Sequence, residues 1–446
     1  MKEDLGKKAF DKAEEDGVKF VQLQFTDIHG SIKSVTIPIH KLAESLEKGT
    51  WFDGSSIEGF TRIAESDMYL KPDPETYALL PWEGDKVCRF ICDVYMPDGK
   101  PFEGDPRYIL KRASAEAEEL GYDYMVGPEL EFFLFKPASD GKIVPDPHDV
   151  AGYFDFSPRD LAEDVRREIV LALESMGMEV EMSHHEVAAG QHEIDFKYGK
   201  ALTQADRAIT FKLAVKSIAA KHGLYATFMP KPIFGINGSG MHVHQSLFDI
   251  KSGKNAFFDA ADKYKLSKVA KGFIAGQLRH IRELSAVTAP IVNSYKRLVP
   301  GYEAPVYICW AQRNRSALIR IPRYSPGREQ ATRAELRCPD PSCNPYMAFA
   351  VMLKAGLVGV KAGMEPPAPV EEDVYEFDEA ALLKHNIATL PGSLGEALAE
   401  LKKSKLMKEA LGEHTYPIYI AAKTAEYDEF RLRVTPWEIE KYLETT

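Results

Sequence analysis

The sequence has 446 residues, of which 45% are hydrophobic and 28% are charged, proportions typical of a globular protein with more than one domain. Its formal net charge of −11 disfavours a general binder of nucleic acid or of anionic membranes, and favours small cationic or metal-bound partners. The charged N-terminus, MKEDLGKKAFDKAEEDG, lacks the apolar core of a signal peptide, and no later run is apolar enough to predict a membrane span, so we predict a cytoplasmic protein.

The first hundred residues predict a small α+β domain. FVQLQFTDIHGSIKSVTIP predicts two alternating strands around a turn at Asp27 to Gly30, and KVCRFICDVYMPDGKPF predicts a further strand. From Pro106 the pattern changes to amphipathic helices that alternate with polar-studded strands. The predicted helices are 106–120, 158–176, 201–222, 255–288 and 344–362. We therefore predict one domain at 1–104 and a larger one at 105–446.

Three strand-like segments of the larger domain carry polar side chains at spacing two, which places those side chains on one face of a sheet. The residues are Glu129 and Glu131 in VGPELEFFLF, His242, His244 and Ser246 in NGSGMHVHQSL, and Arg333, Glu335 and Arg337 in ATRAELRCPDP. The alternative is an exposed acidic face for the glutamates and a surface salt-bridge ladder for the arginines. Each strand stops at a Gly or Pro turn, where functional residues tend to lie.

A fourth segment, SHHEVAAGQHEID, places histidines and acids around a turn of small residues. In this reading Glu186 closes one strand, Glu193 opens the next, and the AAG turn lets both carboxylates reach one metal. The alternative is a solvated polar hairpin. The three histidines, His184, His185 and His192, are predicted to be core residues or supports of the ligands rather than ligands.

These segments supply an oxygen-rich set of candidate metal ligands. The set is Glu129, Glu131, Glu186, Glu193, His242 and Glu335. Five carboxylates and one imidazole suit Mg²⁺ or Mn²⁺ better than Zn²⁺, which prefers Cys and His in tetrahedral sites. Six ligands suffice for two cations, which together would form a clamp for phosphoryl transfer.

Arginines near loops and strands provide candidate anion-binding groups. Arg297 and Glu303 lie in the loop NSYKRLVPGYEAP, and Arg315 and Arg320 lie in the strand-like run AQRNRSALIRIP. In a protein of net charge −11, such arginines indicate oriented contacts to carboxylate and phosphate oxygens. The sequence has no GxxxxGK[ST] and no GxGxxG motif, so metals and arginines would have to hold any nucleotide.

Several long segments, in the same order, resemble the signature blocks of type I glutamine synthetase. They are DGSSIEGF, VGPELEFFLF, HHEVAAGQHEID, NGSGMHVHQSL, KRLVPGYEAP, RNRSALIRIP and ELRCPDPSCNPY, and the resemblance runs from about residue 18 to the C-terminus. It implies an α+β protein with an N-terminal β-grasp domain and a larger catalytic α/β domain, whose curved antiparallel sheet is flanked by helices. The implied reaction makes glutamine from glutamate, ammonium and ATP through γ-glutamyl phosphate.

Carried over residue by residue, the resemblance implies two Mg²⁺ or Mn²⁺ ions in each active site. Glu131, Glu186 and Glu193 would hold one ion, and Glu129, His242 and Glu335 the other. The residues implied to contact glutamate or its acyl phosphate are Ser56, Asn237, Gly238, Arg297, Glu303, Arg315 and Arg337. The residues implied to surround ATP and its γ-phosphate are Glu181, His244, Ser246, Arg315, Arg320 and Arg333.

The same resemblance implies catalytic roles for Asp53, Glu303 and Arg315. Asp53 would bind and deprotonate ammonium in the active site of a neighbouring subunit, Glu303 would close a loop over the intermediate, and Arg315 would spread the charge of the transferred phosphoryl. The implied assembly is a homododecamer of two stacked hexameric rings. Small regulatory proteins are further expected partners, whereas nucleic acids and membranes are not.

Three alternatives compete with this reading. A relative that ligates glutamate to a larger amine would need room where ammonium binds, and the intact Asp53, Ser56 and Glu303 argue against it. A catalytically silent structural or regulatory member is disfavoured by the complete ligand sets. A guanidino-type phosphotransferase gives no reason for the DGSS segment.

Two residues bear on regulation. Tyr375 stands where one form of type I enzyme is adenylylated, but it precedes EFDEAALL rather than DLPPEE, which favours an ordinary connector tyrosine. Arg62, in IEGFTRIAESD, resembles the arginine that feedback-inhibited enzymes place near the glutamate site. An exposed surface Arg62 without a regulatory role is the alternative. We therefore predict the form that is not adenylylated and is inhibited directly by glutamine.

Overall fold

The computed structural model describes residues 2–55, 57, 59, 67–84, 86–138, 140–300 and 304–446. Within these residues, the strands form a six-stranded sheet near the N-terminus and a ten-stranded sheet in the rest of the chain. The two sheets belong to the predicted α+β class, with a small N-terminal layer and a larger unit in which helices pack around the second sheet.

The small sheet is built by the first 95 residues. Its strands are β1 (Phe20–Thr26), β2 (Ile32–Pro38), β3 (Thr50–Asp53), β4 (Asp67–Pro72), β5 (Ala78–Leu79) and β6 (Val87–Tyr95). Their order is β2-β1-β6-β4-β3, with β5 beside β6, and β1 runs parallel to β6. Helices α1 (Lys2–Glu15) and α2 (Leu42–Lys48) contribute Ala13 and Leu42 to the core beneath Val21 and Leu23. Alternating apolar residues on β1 therefore find their partners on both helices.

The turn between β1 and β2 is closed by its own side chain. Asp27 Oδ1 accepts hydrogen bonds from the amides of His29 and Ser31, at 3.0 and 2.9 Å. Gly30 has φ of +78°, a left-handed conformation in which a side chain would be strained. The two predicted strands and the turn at 27–30 are confirmed.

The large sheet has β7, a strand of 16 residues, at its centre. Its strands are β7 (Tyr122–Pro137), β8 (Ile143–Pro147), β9 (Val180–His185), β10 (Gln191–Phe196), β11 (Gly199–Lys200), β12 (Tyr225–Thr227), β13 (Met241–Asp249), β14 (Tyr307–Ala311), β15 (Ala317–Arg320) and β16 (Ala334–Leu336). The main order is β14-β15-β16-β13-β7-β10-β9, and β8, β11 and β12 also pair with β7. All pairs are antiparallel except β14 with β15.

Ten helices of the described residues accompany this sheet. They are α3 (Pro106–Glu119), α4 (Glu163–Ser175), α5 (Ala201–Lys221), α6 (Lys268–Thr288), α7 (Ser294–Arg297), α8 (Pro345–Ala362), α9 (Glu379–Lys384), α10 (Leu394–Leu401), α11 (Lys405–Arg431) and α12 (Pro436–Tyr442). Helices α6 and α8 touch backbone to backbone, because a Cβ atom built on Gly359 would lie 1.9 Å from the carbonyl oxygen of Gly272. Glycine is required at this crossing.

Two predicted helices begin later than expected. Helix α4 begins at Glu163 rather than 158, because the buried Asp160 accepts the amide of Ala162 at 3.0 Å and holds the preceding segment in a turn. Helix α6 begins at Lys268 rather than 255, because Ser267 caps it. At both places, a short polar side chain that accepts a hydrogen bond from the backbone sets the first residue of the helix.

Two other predictions need correction. The strand predicted through Arg315 begins only at Ala317, because the side chain of Asn314 accepts the amide of Ser316 at 2.8 Å and forms a turn. Helix α8 is apolar and long enough to cross a membrane by composition, so the prediction that no such run exists was wrong. Thirteen of its 18 residues are buried inside the protein, which is typical of a core helix.

Candidate active site

Polar side chains from five strands meet on one face of the large sheet. Residues opposite each other on paired strands share a face, as do residues two apart on one strand. The register pairs Glu193 with Glu131, Glu129 with His242, His244 with Glu335, and Glu335 with Arg320. We name this surface, with Glu129, Glu131, Glu193, His242, His244 and Glu335, the acid face.

One group on the acid face has the geometry of a metal site. Glu129, His242 and Glu335 each offer a ligand atom, and the three atoms lie within 4.8 Å of one another. His242 Nδ1 lies 3.6 Å from a Glu129 oxygen and 4.0 Å from a Glu335 oxygen. Burial lowers the pKa of His242, aided by the charge of Arg337, so its imidazole is neutral and able to bind a cation.

Arginines hold the carboxylate of Glu335 from two sides. Arg320 donates to one oxygen at 2.9 Å, and Arg337 donates to the other at 2.6 Å. Burial raises the pKa of Glu335, but the charges of His244 and Arg337 outweigh burial and bring it to about 2. Glu335 is therefore an oriented, ionised carboxylate.

His244 extends this network away from the metal group. Its Nε2 lies 2.6 Å from Glu129 Oε1, and Arg333 Nε lies 3.0 Å from its Nδ1. The nearby histidines outweigh the effect of burial and hold the pKa of Glu129 well below its usual range. Ser246 follows on the same face of β13 and is buried.

A second group forms around the β9–β10 hairpin. His184 Nε2 lies 3.3 Å from Glu193 Oε1, and His184 Nδ1 lies 3.5 Å from Glu186 Oε1. The ligand atoms of His184, Glu193 and Asp195 lie within 4.8 Å of one another. Glu131, which faces Glu193 across the strands, instead accepts hydrogen bonds from two neutral donors.

Glu131 is held by the loops beside it. Gln191 Nε2 and the amide of Gly240 both donate to Glu131 Oε2 at 2.9 Å. Burial nevertheless raises the pKa of Glu131 to about 7, although the positive charge of Arg297 acts against this rise. A carboxyl with such a pKa lacks a cation close enough to balance its charge.

The acids of the second group fit divalent cations. Burial raises the pKa of Asp195 to about 7, with the charge of Glu129 adding to it. Burial and the charges of Asp195 and Glu131 raise the pKa of Glu193 well above its usual range. Asp195 Oδ1 is buried and accepts no hydrogen bond from the residues that the structure describes. Excess buried negative charge and an unpaired oxygen both fit hard cations with oxygen ligands.

The predicted glutamate-binding residues lie beside the acid face. The buried guanidinium of Arg297 donates to the carbonyl oxygens of 337–339 at 2.9 to 3.1 Å. Asn237 and Gly238 lie in the loop before β13, and Gly238 is pressed against the chain, because a Cβ atom there would lie 2.1 Å from Pro230 O. This loop brings backbone groups next to Glu131, since Gly238 O also accepts from Gln191 at 3.1 Å.

Other predicted residues are placed less centrally. Glu181 is exposed on β9, and Arg315 is exposed in the turn before β15. Asp53 is exposed at the end of β3 in the small sheet, where its Oδ1 accepts the amide of Ser55 at 2.8 Å. The remaining predicted residues, Ser56, Arg62 and Glu303, lie outside the described residues.

Sequence reasoning missed two members of the site, Asp195 and Gln191. Asp195 stands two residues after Glu193 and shares its face, so the spacing that identified the other acids could have found it. Gln191 gave no such signal, because it matters only where the fold brings its side-chain amide to Glu131. His184, predicted to be a core residue or a support of the ligands, lies between Glu186 and Glu193.

Comparisons with known proteins agree with this arrangement. The family model "Glutamine synthetase, catalytic domain" matches residues 103–442, and "Glutamine synthetase, beta-Grasp domain" matches residues 17–97. Glutamine synthetases from Clostridium saccharobutylicum, Methanosarcina mazei and Thermotoga maritima are 57%, 56% and 55% identical to the chain. Each alignment covers 96% of this chain, and 96%, 95% and 97% of those proteins.

Solved structures show the same likeness. A structure of GmaS in complex with ADP has a TM-score of 0.89 and 33% identity, and the match covers 98% of this chain and 99% of that one. The cryo-electron microscopy structure of Plasmodium falciparum glutamine synthetase has a TM-score of 0.88 and 26% identity, with 98% of each chain covered. The chain belongs to the glutamine synthetase family, whose members use ATP and divalent metals.

Proposed function

We propose how this chain carries out the reaction of its family, the ATP-dependent ligation of ammonia to the γ-carboxylate of L-glutamate. The observation that supports the proposal best is the acid face. Its buried carboxyls carry more negative charge than nearby cations balance, yet arginines border them directly. Such a surface is suited to divalent cations and phosphate together.

Two groups of residues would hold two Mg²⁺ or Mn²⁺ ions. One group is Glu129, His242 and Glu335, and the other is Glu131, Glu186 and Glu193. His184 and Asp195 lie beside the second group and would add ligand atoms to it. When bound, the ions would neutralise the charge that develops as the γ-phosphoryl group moves.

The arginines would orient the substrates. Arg320 and Arg333, at the edge of the acid face, with Arg315, would contact the phosphates of ATP, and Glu181, His244 and Ser246 would line the nucleotide site. Arg297, Arg337, Asn237 and Gly238 would bind glutamate, with Ser56 and Glu303. The similarity to GmaS, solved with ADP bound, supports nucleotide binding by this fold.

The reaction would proceed in two steps. A γ-carboxylate oxygen of glutamate attacks the γ-phosphorus of ATP, and ADP leaves with the electron pair of the broken bond. Asp53 then takes a proton from ammonium, and the ammonia attacks the acyl carbon. As the bond to phosphate breaks, the added nitrogen gives one further proton to the departing phosphate or to solvent, which leaves the amide. Glu303 would close the loop that keeps water from the acyl phosphate.

We propose the homododecamer of two hexameric rings as the assembly. Asp53 lies on β3 of the small sheet, and the acid face belongs to the large sheet. As the resemblance to the family implies, a neighbouring subunit would bring its Asp53 to this chain's acid face. The proposal also keeps domains at 1–104 and 105–446, a cytoplasmic location and small regulatory proteins as partners.

An assay of ammonium-dependent phosphate release, with glutamate and ATP, tests the function. Phosphate release should require ammonium, and it should be much slower when methylamine or ethylamine replaces ammonium. Faster turnover with an amine than with ammonium would favour the alternative of a ligase for larger amines. No turnover with ammonium or an amine at saturating Mg²⁺ and Mn²⁺ would favour a silent member.

The role of Asp53 is tested by separating the two steps. Asp53→Ala should impair glutamine formation more than formation of the acyl phosphate, measured as hydroxylamine-trapped product. Equal loss in both steps would indicate a structural role for Asp53. Mixing Asp53→Ala with Glu335→Ala subunits should restore some activity if the site is shared, and verified mixed oligomers without rescue would argue against sharing.

A further inference from the structure

A buried carboxylate supports the metal-binding hairpin from behind. The side chain of Asp149 is 1% exposed, and each of its oxygens has two partners. Oδ1 accepts the amide of Gly190 and lies 3.1 Å from His185 Nε2. Oδ2 lies 2.9 Å from His148 Nε2 and accepts the amide of Leu161 at 3.2 Å. Asp149 thus ties its own segment and the segment of Leu161 to the end of the β9–β10 hairpin.

The point of attachment is the turn of the hairpin. Gly190 has φ of +70°, and a Cβ atom there would lie 3.0 Å from Leu134 O and 3.1 Å from a Pro147 atom. Its amide donates to Asp149 at 3.1 Å and its carbonyl accepts from Leu134 at 2.9 Å. The next residue, Gln191, donates a hydrogen bond from its side-chain amide to Glu131. The position of Gly190 therefore sets the position of a hydrogen bond on the acid face.

Asp149 reaches the hairpin from the face opposite the acids. His185 pairs with His192 across β9 and β10, whereas His184 pairs with Glu193, one residue along. Because successive side chains of a strand point to opposite faces, His185 lies on the other side of the sheet from His184 and Glu193. His185 Nδ1 also lies 2.7 Å from the carbonyl oxygen of Glu186. The contact thus fixes the backbone of a proposed metal ligand.

We propose that Asp149 is a positioning residue for one metal site. It holds the hairpin turn through Gly190 and His185, and so places Glu186 and Glu193 at the spacing that one cation requires. This inference rests on the metal site of the proposed function. It adds a residue that no ligand motif contains and that lies outside the acid face.

The test measures Mn²⁺ binding by calorimetry, together with hydrogen exchange of the amides at 187–191, in the full-length protein. Asp149→Ala removes all four contacts, whereas Asp149→Asn keeps an oxygen that can accept from Gly190. Asp105→Asn is the matched control, because Asp105 is also buried and accepts hydrogen bonds from two backbone amides, but where β6 meets helix α3. His242→Ala marks the binding step of the other metal site.

We expect Asp149→Ala to weaken one class of Mn²⁺ site by about 10- to 100-fold and to speed exchange at 187–191, because residues that orient ligands have effects of this size. Asp149→Asn should recover part of the affinity, and Asp105→Asn should bind Mn²⁺ as the wild type does while unfolding at a lower temperature. Wild-type affinity and exchange in Asp149→Ala would overturn the inference.

Two further outcomes separate this inference from the proposed function. If the wild type binds no Mn²⁺, the metal assignment fails, and unchanged exchange at 187–191 in Asp149→Ala would overturn the positioning role as well. Faster exchange in that case would still show that Asp149 holds the hairpin turn. If Asp149→Ala does not fold, Asp149→Asn carries the test, and wild-type affinity and exchange in it would overturn the inference.

Discussion

Carboxylates cluster at two places in this protein, and they meet opposite electrostatic conditions there. On the acid face, burial raises the pKa of Glu131 and of Asp195 to about 7. Between the two sheets, the half-buried Asp93 of β6 has a lowered pKa, because the charges of Arg107 and Lys111 outweigh burial. Glu131 and Asp195 are thus driven toward protonation, whereas Asp93 is driven toward ionisation, as are Glu129 and Glu335 where histidines and Arg337 lie beside them.

The two regions differ in the source of the cation that balances the carboxylates, which is the chain itself in one and the solution in the other. Arg107 is 3% exposed and binds Asp73 at 2.7 Å, Asp93 at 2.6 Å and Asp206 at 2.9 Å. Asp73 and Asp93 come from the N-terminal part of the chain, whereas Asp206 lies on α5 beside the large sheet. In this group, which we name the Arg107 clamp, the chain itself supplies the cations, since Lys111 also binds Asp93. The acid face is complete only with cations from solution, which is the property of a site rather than of a scaffold.

The largest effect on stability is expected from breaking the Arg107 clamp. Arg107→Met leaves three carboxylates without their common partner and should lower the free energy of unfolding by about 3–5 kcal/mol. Lys111→Met is the matched control, because that ammonium also binds Asp93 but is 33% exposed, so its loss should cost about 1 kcal/mol or less. Urea unfolding measures both changes. Similar losses of unfolding free energy in the two variants would show that burial of the cation does not determine its contribution to stability.

The largest effect on activity is expected from the acid face. Glu335→Ala removes a metal ligand and leaves Arg320 and Arg337 without their shared carboxylate, so phosphoryl transfer should fall by at least about 100-fold. His242→Ala should act in the same direction. His185→Ala, on the other face of the sheet, should cost less. Wild-type turnover in either ligand variant at saturating Mg²⁺ would contradict the site assignment.

The protonation of the acid face predicts a pH dependence of metal binding. Glu131 and Asp195, with raised pKa values of about 7, hold protons below pH 7 and must release them to bind a cation. Mn²⁺ affinity should therefore rise between pH 6 and 8, by roughly tenfold for each group that deprotonates. Calorimetry in two buffers of different ionisation enthalpy measures the released protons. Affinity that is flat across this range would mean that these two acids do not bind the metal.

The smallest effect concerns regulation outside both clusters. Arg62→Ala should relieve direct inhibition by glutamine without loss of basal turnover, and intact protein from its native host should carry no nucleotidyl mass on Tyr375. The Tyr375 hydroxyl already donates to the carbonyl oxygen of Ala304 at 2.9 Å, so modification would break a contact next to the predicted closing loop. Unchanged inhibition in Arg62→Ala would refute the feedback role. An AMP adduct on Tyr375 would refute the prediction that this tyrosine is not adenylylated.

Patterns within single segments were predictable. Spacing two placed Glu129 beside Glu131, and His242 beside His244, because side chains alternate along a strand whatever the strand pairs with. The turn at 27–30 followed from Asp27 and Gly30, whose bonds are made within the turn itself. The start of α6 was missed, because a capping serine competes with apolar periodicity and only the folded chain shows which wins.

The sequence by itself determined the kinds of ligand, their order along the chain and the family that they resemble. Only the tertiary structure decided which residues became partners. Glu129 and His242 are 113 positions apart, and strand register alone sets them opposite each other. The contacts of Asp149, the Arg107 clamp and the raised pKa of Asp195 likewise depend on burial and on distant segments. These are properties of the packed chain, because a local pattern specifies neither the dielectric surroundings of a side chain nor its distant neighbours.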